Sequence, residues 1–255
     1  MMELEASLSA ESPRRIVIYD MPPLLLSDDV LTFAPRVDGM LLVRDRLGIL
    51  PLYYSVESGR VTFASEPKAI FAAGGCAPAV DPLSLDAYLA SRSVPAPNTL
   101  YAGIKKVLPG HRCVIDKNGT ISLTQYWTPP AVASHSRDRQ RDVVGTVDLA
   151  IRDAVKAALV ADVPVGSYLS GGVDSSLIVA VMKSLRGNAP VETFAAGFGD
   201  PRYDELRWAR LVREHVGTRH HEVHVRAEDF EELWPRMTWH RDAPISEPAD
   251  IAVFR

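Results

Sequence analysis

Residues 142–255 are predicted to form an α/β domain, a parallel sheet with helices on both faces. Three observations predict it. Apolar residues recur at helical spacing in Val144, Val147, Ile151, Ala154 and Ala158. Strand and helix texture then alternates through "VPVGSYL", "SSLIVAVMKSLRG", "VETFAAGF", "YDELRWARLVREHVG" and "HHEVHV", an order that favours parallel strands covered by helices. Finally, "SGGVDSS" at 170–176 joins the first of these strands to the next helix. It therefore sits at a strand's carboxyl end, where ligands of such sheets bind.

Each element follows from local chemistry. "VPVGSYL" is an apolar run expected as a buried strand. The helix after it starts at Ser175 and closes at Gly187, and the next amphipathic helix closes at Gly217. Upstream, residues 1–14 are polar. "RIVIYDMPPLLL" is a short apolar strand ending at Asp20 and Pro22-Pro23, and "GMLLV" is a second. From Arg44 the texture changes to short strands with turns: "ILPLYYS", "RVTFAS" and "HRCVIDKNGTISLTQYW". In the last, Asn118-Gly119 predicts a two-residue hairpin turn. "PLSLDAYLAS" between them reads as a helix. The stretch "TPPAVASHSRDRQRD" is polar and carries two prolines, so it reads as a linker, and its basic run as a solvated one.

Composition narrows the function. The chain has 255 residues, 47% of them hydrophobic, and a net charge of -4. That balance offers no general attraction to nucleic acid or to an acidic membrane surface. No apolar run approaches the length of a membrane span. The start "MMELEASLSAESPRR" lacks the basic-then-apolar order of a secretory signal. Cys76 and Cys113 form no CxxC pair and read as reduced thiols of a cytoplasmic protein.

The loop at 170–176 carries the sharpest signal. Gly171 and Gly172 lack Cβ, so the backbone can turn tightly and approach a ligand. The following helix points free N–H groups and the positive end of its dipole at the turn. Ser170, Ser175 and Ser176 add hydroxyl donors. Such a loop suits phosphate, yet it has no lysine to reach a γ-phosphate. Asp174 repels a bare phosphate. It fits if Mg²⁺ bridges it to the phosphates, or if it caps the helix. A plain strand–turn–helix with Asp174 as N-cap is the bland alternative.

"SGGVDSS" resembles the pyrophosphatase loop of enzymes that split ATP between its α and β phosphates. Its surroundings narrow the likeness. "DVPVGSYLSGGVDSSLI", "TFAAGF", "YDELRWARLV" and "GTRHHEVHV", with "RDRLGILPLYY", "FASEPKAI", "TLYAGIKKVLPGH" and "YW" upstream, together resemble the glutamine-dependent asparagine synthetase family over about residues 43–255. The resemblance implies an adenine nucleotide alpha-hydrolase-like domain at 142–255, a linker at 131–141 and part of an α+β N-terminal-nucleophile glutaminase domain at 43–130. By the same resemblance Ser170, Gly171, Gly172, Val173, Asp174, Ser175 and Ser176 bind the pyrophosphate of ATP, with Asp174 toward Mg²⁺. Leu169 and Ala196 fall at positions that contact adenosine. The implied substrates are ATP, aspartate and glutamine or ammonia, and the resemblance admits a homodimer.

The chain also departs from that family. It begins Met1-Met2-Glu3, where the glutaminase uses an N-terminal cysteine as nucleophile. Cys76 and Cys113 lie in the wrong segments to replace it. The family's second serine-glycine loop is expected after "EPADIAVFR", and Ala243 stands where the family usually has glutamate. A middle slice of the family's sequence is the expectation. "RIVIYDMPPLLLSDDVLTFAPRVDGMLLV" resembles instead a segment of bacterial exopolysaccharide tyrosine kinases, with Asp20-Met21-Pro22-Pro23 at its aspartate motif. Residues 1–42 are therefore expected to be an unrelated remnant joined by fusion, without the lysine-bearing loop a kinase needs.

Smaller candidates weigh toward structure. On a strand, His220, Glu222 and His224 share one face while His221 and Val223 take the other. His220 and His224 are then too far apart to chelate one metal easily. Asp204 and Glu205 read first as helix N-terminal acids favoured by the dipole, and otherwise as acids that face substrate. Trp208, Trp234 and Trp239 read as packing residues. Two other enzyme readings share the loop and differ at the acceptor: a β-lactam-forming synthetase and an amidotransferase for a polysaccharide precursor. A catalytically silent fragment is the alternative from another class. Because the nucleophile and glutamine pocket are not among these residues, purified protein is expected to release no glutamate from glutamine. Glutamate above the blank would overturn that.

Overall fold

The computed structural model describes residues 4–6, 16–19, 33–36, 39–116, 118–130, 142–200, 202, 204–244, 247 and 249–255. The kinase-like Asp20-Met21-Pro22-Pro23 segment lies outside the described residues. The chain divides into two units, Met1–Ser134 and His135–Arg255.

The first unit is built on two sheets. One has the order β1 (Leu4–Ala6), β2 (Ile16–Tyr19), β6 (Arg60–Ala64), β5 (Tyr53–Glu57) and β7 (Ile104–Lys106). The other runs β3 (Phe33–Arg36), β4 (Gly39–Val43), β8 (His111–Asp116) and β9 (Ile121–Gln125). Strand alternation sends Met40 and Leu42 of β4, Cys113 and Ile115 of β8, Tyr54 of β5 and Val61 and Phe63 of β6 into one shared core. The next residue of β6, Ala64, faces the other way and packs with Ile104 and with Ile70 of α1 (Pro67–Ala72). Helix α2 (Pro82–Ser91) occupies the span expected for it, capped by Asp81, whose carboxylate accepts the Leu83 N–H. The expected boundary between residues 42 and 43 falls inside β4.

The motif "RDRLGIL" is structural here. The Arg44 guanidinium donates to the carbonyls of Leu50, Val107 and Gly48 at 3.0, 2.7 and 2.9 Å. The buried Asp45 carboxylate accepts the Ile49 and Leu50 N–H groups at 2.9 and 3.0 Å. Both charges are spent on the loop's own backbone, which a polar loop folded inward must satisfy. Cys113 is fully buried, and burial pushes its thiol up to about 11. That state suits an inert packing residue.

The hairpin between β8 and β9 closes differently from the two-residue turn that Asn118-Gly119 predicts. The Asp116 N–H donates to the Thr120 carbonyl, and the Gly119 N–H donates to Asp116 O. Three residues therefore lie between the closing pair. Gly119 at φ 79° supplies the left-handed position such a loop needs. The Asp116 carboxylate accepts the Asn118 and Thr120 N–H groups, which favours this wider turn.

The second unit begins with α3 (Val143–Ala158), capped by Asp142. A three-stranded parallel sheet follows, in the order β10 (Gly166–Tyr168), β11 (Glu192–Gly197) and β12 (Arg219–His224). Helices α4 (Val173–Arg186) and α5 (Leu206–Val216) connect the strands, and α6 (Ala227–Arg241) and α7 (Asp250–Phe254) follow them. Helices cover both faces, as the α/β prediction requires. Leu169 and Ala195 pack with Val179 of α4 and Ala209 of α5. Ala196 points oppositely, toward Val225, Leu233, Met237 and Ile251 of the α6–α7 layer.

Two details of this unit differ from the sequence-based expectation. Strand β10 is a sheet edge, not a buried strand, with Tyr168 62% exposed. Only the face carrying Leu169 is buried, under α4 and α5, while the face carrying Tyr168 lines a cavity. On α3 the apolar stripe is also only half used. Ile151, Val155 and Leu159 pack against Val181, Met182 and Val191, while Val144 is 80% exposed.

Replacing Asp45 by alanine strands two backbone N–H groups, each worth about 1–3 kcal/mol when left unsatisfied. Asp45→Ala is expected to lower the stability of the first unit by about 2 kcal/mol, read as a lower urea midpoint. An unchanged midpoint would show that water replaces the carboxylate without loss.

Candidate functional site

The loop 170–176 leaves the carboxyl end of β10 and turns into α4. Helix α4 starts at Val173, two residues before the expected Ser175, and its N-cap is Gly172 with no side-chain cap bond. Asp174 is therefore not the N-cap; it lies in the first turn. Its carboxylate is exposed and makes no hydrogen bond or ion pair with the described residues. The N-cap explanation for an acid at this position therefore falls, while the helix dipole still favours one there.

The loop is preformed by its own serines. Ser170 Oγ lies 3.0 Å from Ser175 Oγ and accepts the Gly172 N–H at 3.3 Å. Ser175 Oγ also lies 3.2 Å from the Gly172 carbonyl, to which the Ser176 N–H donates at 3.0 Å. The N–H groups of Val173, Asp174 and Ser175 find no acceptor among the described residues, as expected of a helix start without a side-chain cap. Ser176 Oγ is buried and has no hydrogen-bond partner among the described residues. Free amide donors, an unpartnered hydroxyl and an unengaged carboxylate form a donor set that fits a polyphosphate carrying a hard cation.

The two glycines have different tasks. Gly171 has φ 81°, and a Cβ there would lie 2.4 Å from the Trp208 carbonyl carbon and 2.6 Å from the Ala209 nitrogen. It is the point where the loop rests on the backbone of α5. Gly172 has an ordinary φ of -69°, and an added Cβ would meet only Ser170 Oγ, at 3.4 Å. The structure thus leaves room at Gly172 on the loop's exposed side.

A cavity of about 600 Å³ adjoins the loop at Leu169 and Ser170 and extends over the sheet. Ala196 lines it, as does Leu169. The Leu169 side chain is 1% exposed and sits in the core beneath α4 and α5, and its N–H donates to Phe194 O. The backbone is what Leu169 can offer a ligand. Tyr168, Phe194 and Arg255, which the sequence did not single out, also form the walls, together with His221 and Glu205, which it did. Strand parity is the signal that could have found Tyr168 and Phe194, which share a face with Ala196; Arg255 comes to the cavity only through the fold.

His221 stacks on Phe194 with ring centroids 5.0 Å apart, and its Nε2 lies 2.7 Å from Glu192 Oε2. That hydrogen bond, with Arg219 beside it, holds the Glu192 carboxyl below its ordinary range. His220 and Glu222 face the other way, toward α5, as the alternation predicts. Burial lowers the His220 imidazole below its ordinary value, and Glu222 opposes that shift. Asp204 caps α5: its carboxylate accepts the Leu206 N–H at 2.8 Å.

Gly171→Ala combines a left-handed φ with a backbone clash, so it is expected to destabilise the second unit by at least about 2 kcal/mol. Gly172→Ala has neither problem and is expected to stay within about 0.5 kcal/mol of the unmodified protein. Thermal unfolding of both variants checks the contrast; equal melting temperatures would contradict it.

Comparison with known proteins gives these units a context. Residues 146–255 match the asparagine synthase family model, and residues 31–127 match a glutamine amidotransferase domain. The glutamine-hydrolysing asparagine synthetase 1 of Bacillus subtilis (strain 168) is 35% identical over 211 residues, covering 83% of this chain and 33% of that protein. Asparagine synthetase 3 of the same organism is 30% identical over 225 residues, covering 83% and 36%. The amidase chyE of Penicillium rubens is 30% identical over 224 residues, covering 82% and 33%. The chain spans about a third of the length of these relatives. With both matched segments in the same order as the two structural units, the chain belongs to the asparagine synthetase family.

Proposed function

We propose that residues 142–255 form the ATP-splitting part of an asparagine synthetase-type ligase. Residues 43–130 form part of its glutaminase domain, with 131–141 as the linker. The observation that carries this reading is the loop at 170–176: free amide donors, an orphaned Ser176 hydroxyl and an unengaged Asp174 carboxylate beside a cavity at the strands' carboxyl ends.

The reaction that this reading implies is an adenylation followed by amide formation. An aspartate carboxylate oxygen attacks the α-phosphorus of ATP, and the bond to the bridging oxygen of pyrophosphate breaks. β-Aspartyl-AMP forms, and ammonia, supplied free or from glutamine, then displaces AMP to give asparagine. The negative charge that grows on the departing pyrophosphate is met by the amides of Val173, Asp174 and Ser175 and by the serine hydroxyls. Asp174 would hold Mg²⁺, which neutralises phosphate charge when bound. Ser170 and Ser175 keep the loop in its bound shape before the ligand arrives, which lowers the ordering cost of binding. The cavity past Leu169 and Ala196 receives the adenosine.

A second reading keeps the adenylation and changes the acceptor, as in a β-lactam-forming synthetase or an amidotransferase for a polysaccharide precursor. Similarity to a Penicillium rubens protein named as an amidase, chyE, beside the asparagine synthetases is what favours keeping this second reading. Product analysis with aspartate, ammonia, ATP and Mg²⁺ separates the two: asparagine with AMP supports the first, and AMP dependent on another acid supports the second.

Binding tests the shared core of both readings. In calorimetric titration, ATP is expected to bind only with Mg²⁺ present. Asp174→Ala is expected to weaken it about tenfold or more through the metal, and Gly172→Val to block it sterically while the fold stays intact. Unchanged affinity in both variants, or no binding by the unmodified chain, would leave the loop a structural turn and the chain silent.

A further inference from the structure

We infer that Arg210 and Glu222 are positioning residues of the phosphate-facing loop, because their ion pair seats α5 on β12 and so holds the surface on which the Gly171 turn rests. The inference rests on the reading of that loop as the pyrophosphate site. The connecting residues are three in a row. The carbonyl carbon of Trp208 and the nitrogen of Ala209 are the atoms that a Cβ on Gly171 would strike. The next residue, Arg210, forks onto Glu222, with Nε to Oε1 at 2.8 Å and Nη2 to Oε2 at 2.6 Å.

The pair is not explained by stability alone. The Arg210 side chain is 52% exposed, and such pairs contribute little to folding. Its geometry is the informative part. The peptide contact at Gly171 tolerates almost no change in how α5 is rotated or displaced. The apolar hold on α5 comes from Leu206 and Ala209, with Val212 and Val216 packed against the same cluster, and apolar contacts of this kind are not directional. A bidentate fork is planar and directional, and it lies one residue from the contact it would steady.

Glu222 stands against a buried polar cluster, with no hydrogen bond to it among the described residues. Its Oε1 lies 3.6 Å from Nε2 of His220, whose side chain is 2% exposed. His220 Nδ1 lies 2.9 Å from Thr193 Oγ1, which in turn lies 2.8 Å from Thr218 Oγ1. The acid that grips α5 is thus backed by buried polar groups of β11 and of the turn before β12. The hydrogen bond from Arg210 holds the Glu222 carboxyl below its ordinary range, so it stays charged for this task.

The test uses the whole chain with Arg210→Ala, Glu222→Ala, the double variant and Arg210→Lys. Three quantities are measured: the melting temperature, the affinity for magnesium pyrophosphate, and the Gly171 amide resonance without ligand. Each single alanine variant is expected to weaken magnesium pyrophosphate about tenfold. The melting temperature is expected to move by less than about 3 °C. The double variant is expected to be no weaker than either single one, since both break the same tether. Arg210→Lys should recover part of the loss, and the Gly171 resonance should move in the alanine variants. Additive losses, or a Gly171 resonance unmoved in every variant, would overturn the inference. If the unmodified chain binds no magnesium pyrophosphate, the proposed function fails, while the Gly171 resonance still decides whether the pair positions the loop.

Discussion

The candidate site depends on one close approach: the backbone of Gly171 lying against the Trp208–Ala209 peptide of α5. No other residue type fits there, since any Cβ would overlap α5 and the φ of 81° is unfavourable for a side chain. That contact lets β10 end, the chain reverse and α4 begin within a few residues. It aims the start of α4 at the strands' carboxyl ends. Gly172 needs no such freedom, which leaves its exposed side for a ligand. Two adjacent glycines that look equivalent in sequence therefore serve packing and access respectively.

The sheet divides the work of the second unit by parity. On β11, Ala195 faces the α4–α5 layer and Ala196 faces the cavity and the α6–α7 layer. On β12, His220 and Glu222 serve α5, while His221 and Val223 line the cavity. A one-residue slip of β12 would exchange these roles and place buried polar groups in the cavity wall. Register is therefore as important to the site as the identity of the loop.

In the first unit, charged residues are used for architecture. Arg44 and Asp45 hold their own loop by hydrogen bonds to backbone groups, and the Tyr126 hydroxyl donates to the Arg44 carbonyl at 2.7 Å. The apolar core between the two sheets, centred on Phe63, Leu42 and Cys113, lies beside this polar knot. A sequence motif rich in arginine and aspartate invites a catalytic reading. Here each of these hydrogen bonds ends on the protein's own backbone.

Local chemistry alone determined much of this protein. Helical spacing placed α3, glycine stops ended α4 and α5, and strand alternation separated His220 from His221, because these depend only on near neighbours along the chain. The glycine-serine composition of 170–176 also marked the loop as a candidate anion site, through donor type and spacing. Other properties belonged to contacts between distant residues. Asp174 as first-turn acid and not cap follows from where α4 is forced to begin by the Gly171 contact. The exposure of Tyr168 on β10 follows from the cavity on that face, and the wider turn at Gly119 from the Asp116 carboxylate closing it. The Arg210–Glu222 fork joins residues on two elements that only the folded sheet brings within hydrogen-bonding distance. Sequence reports what each residue can do, and tertiary packing decides which of those capacities is left unspent.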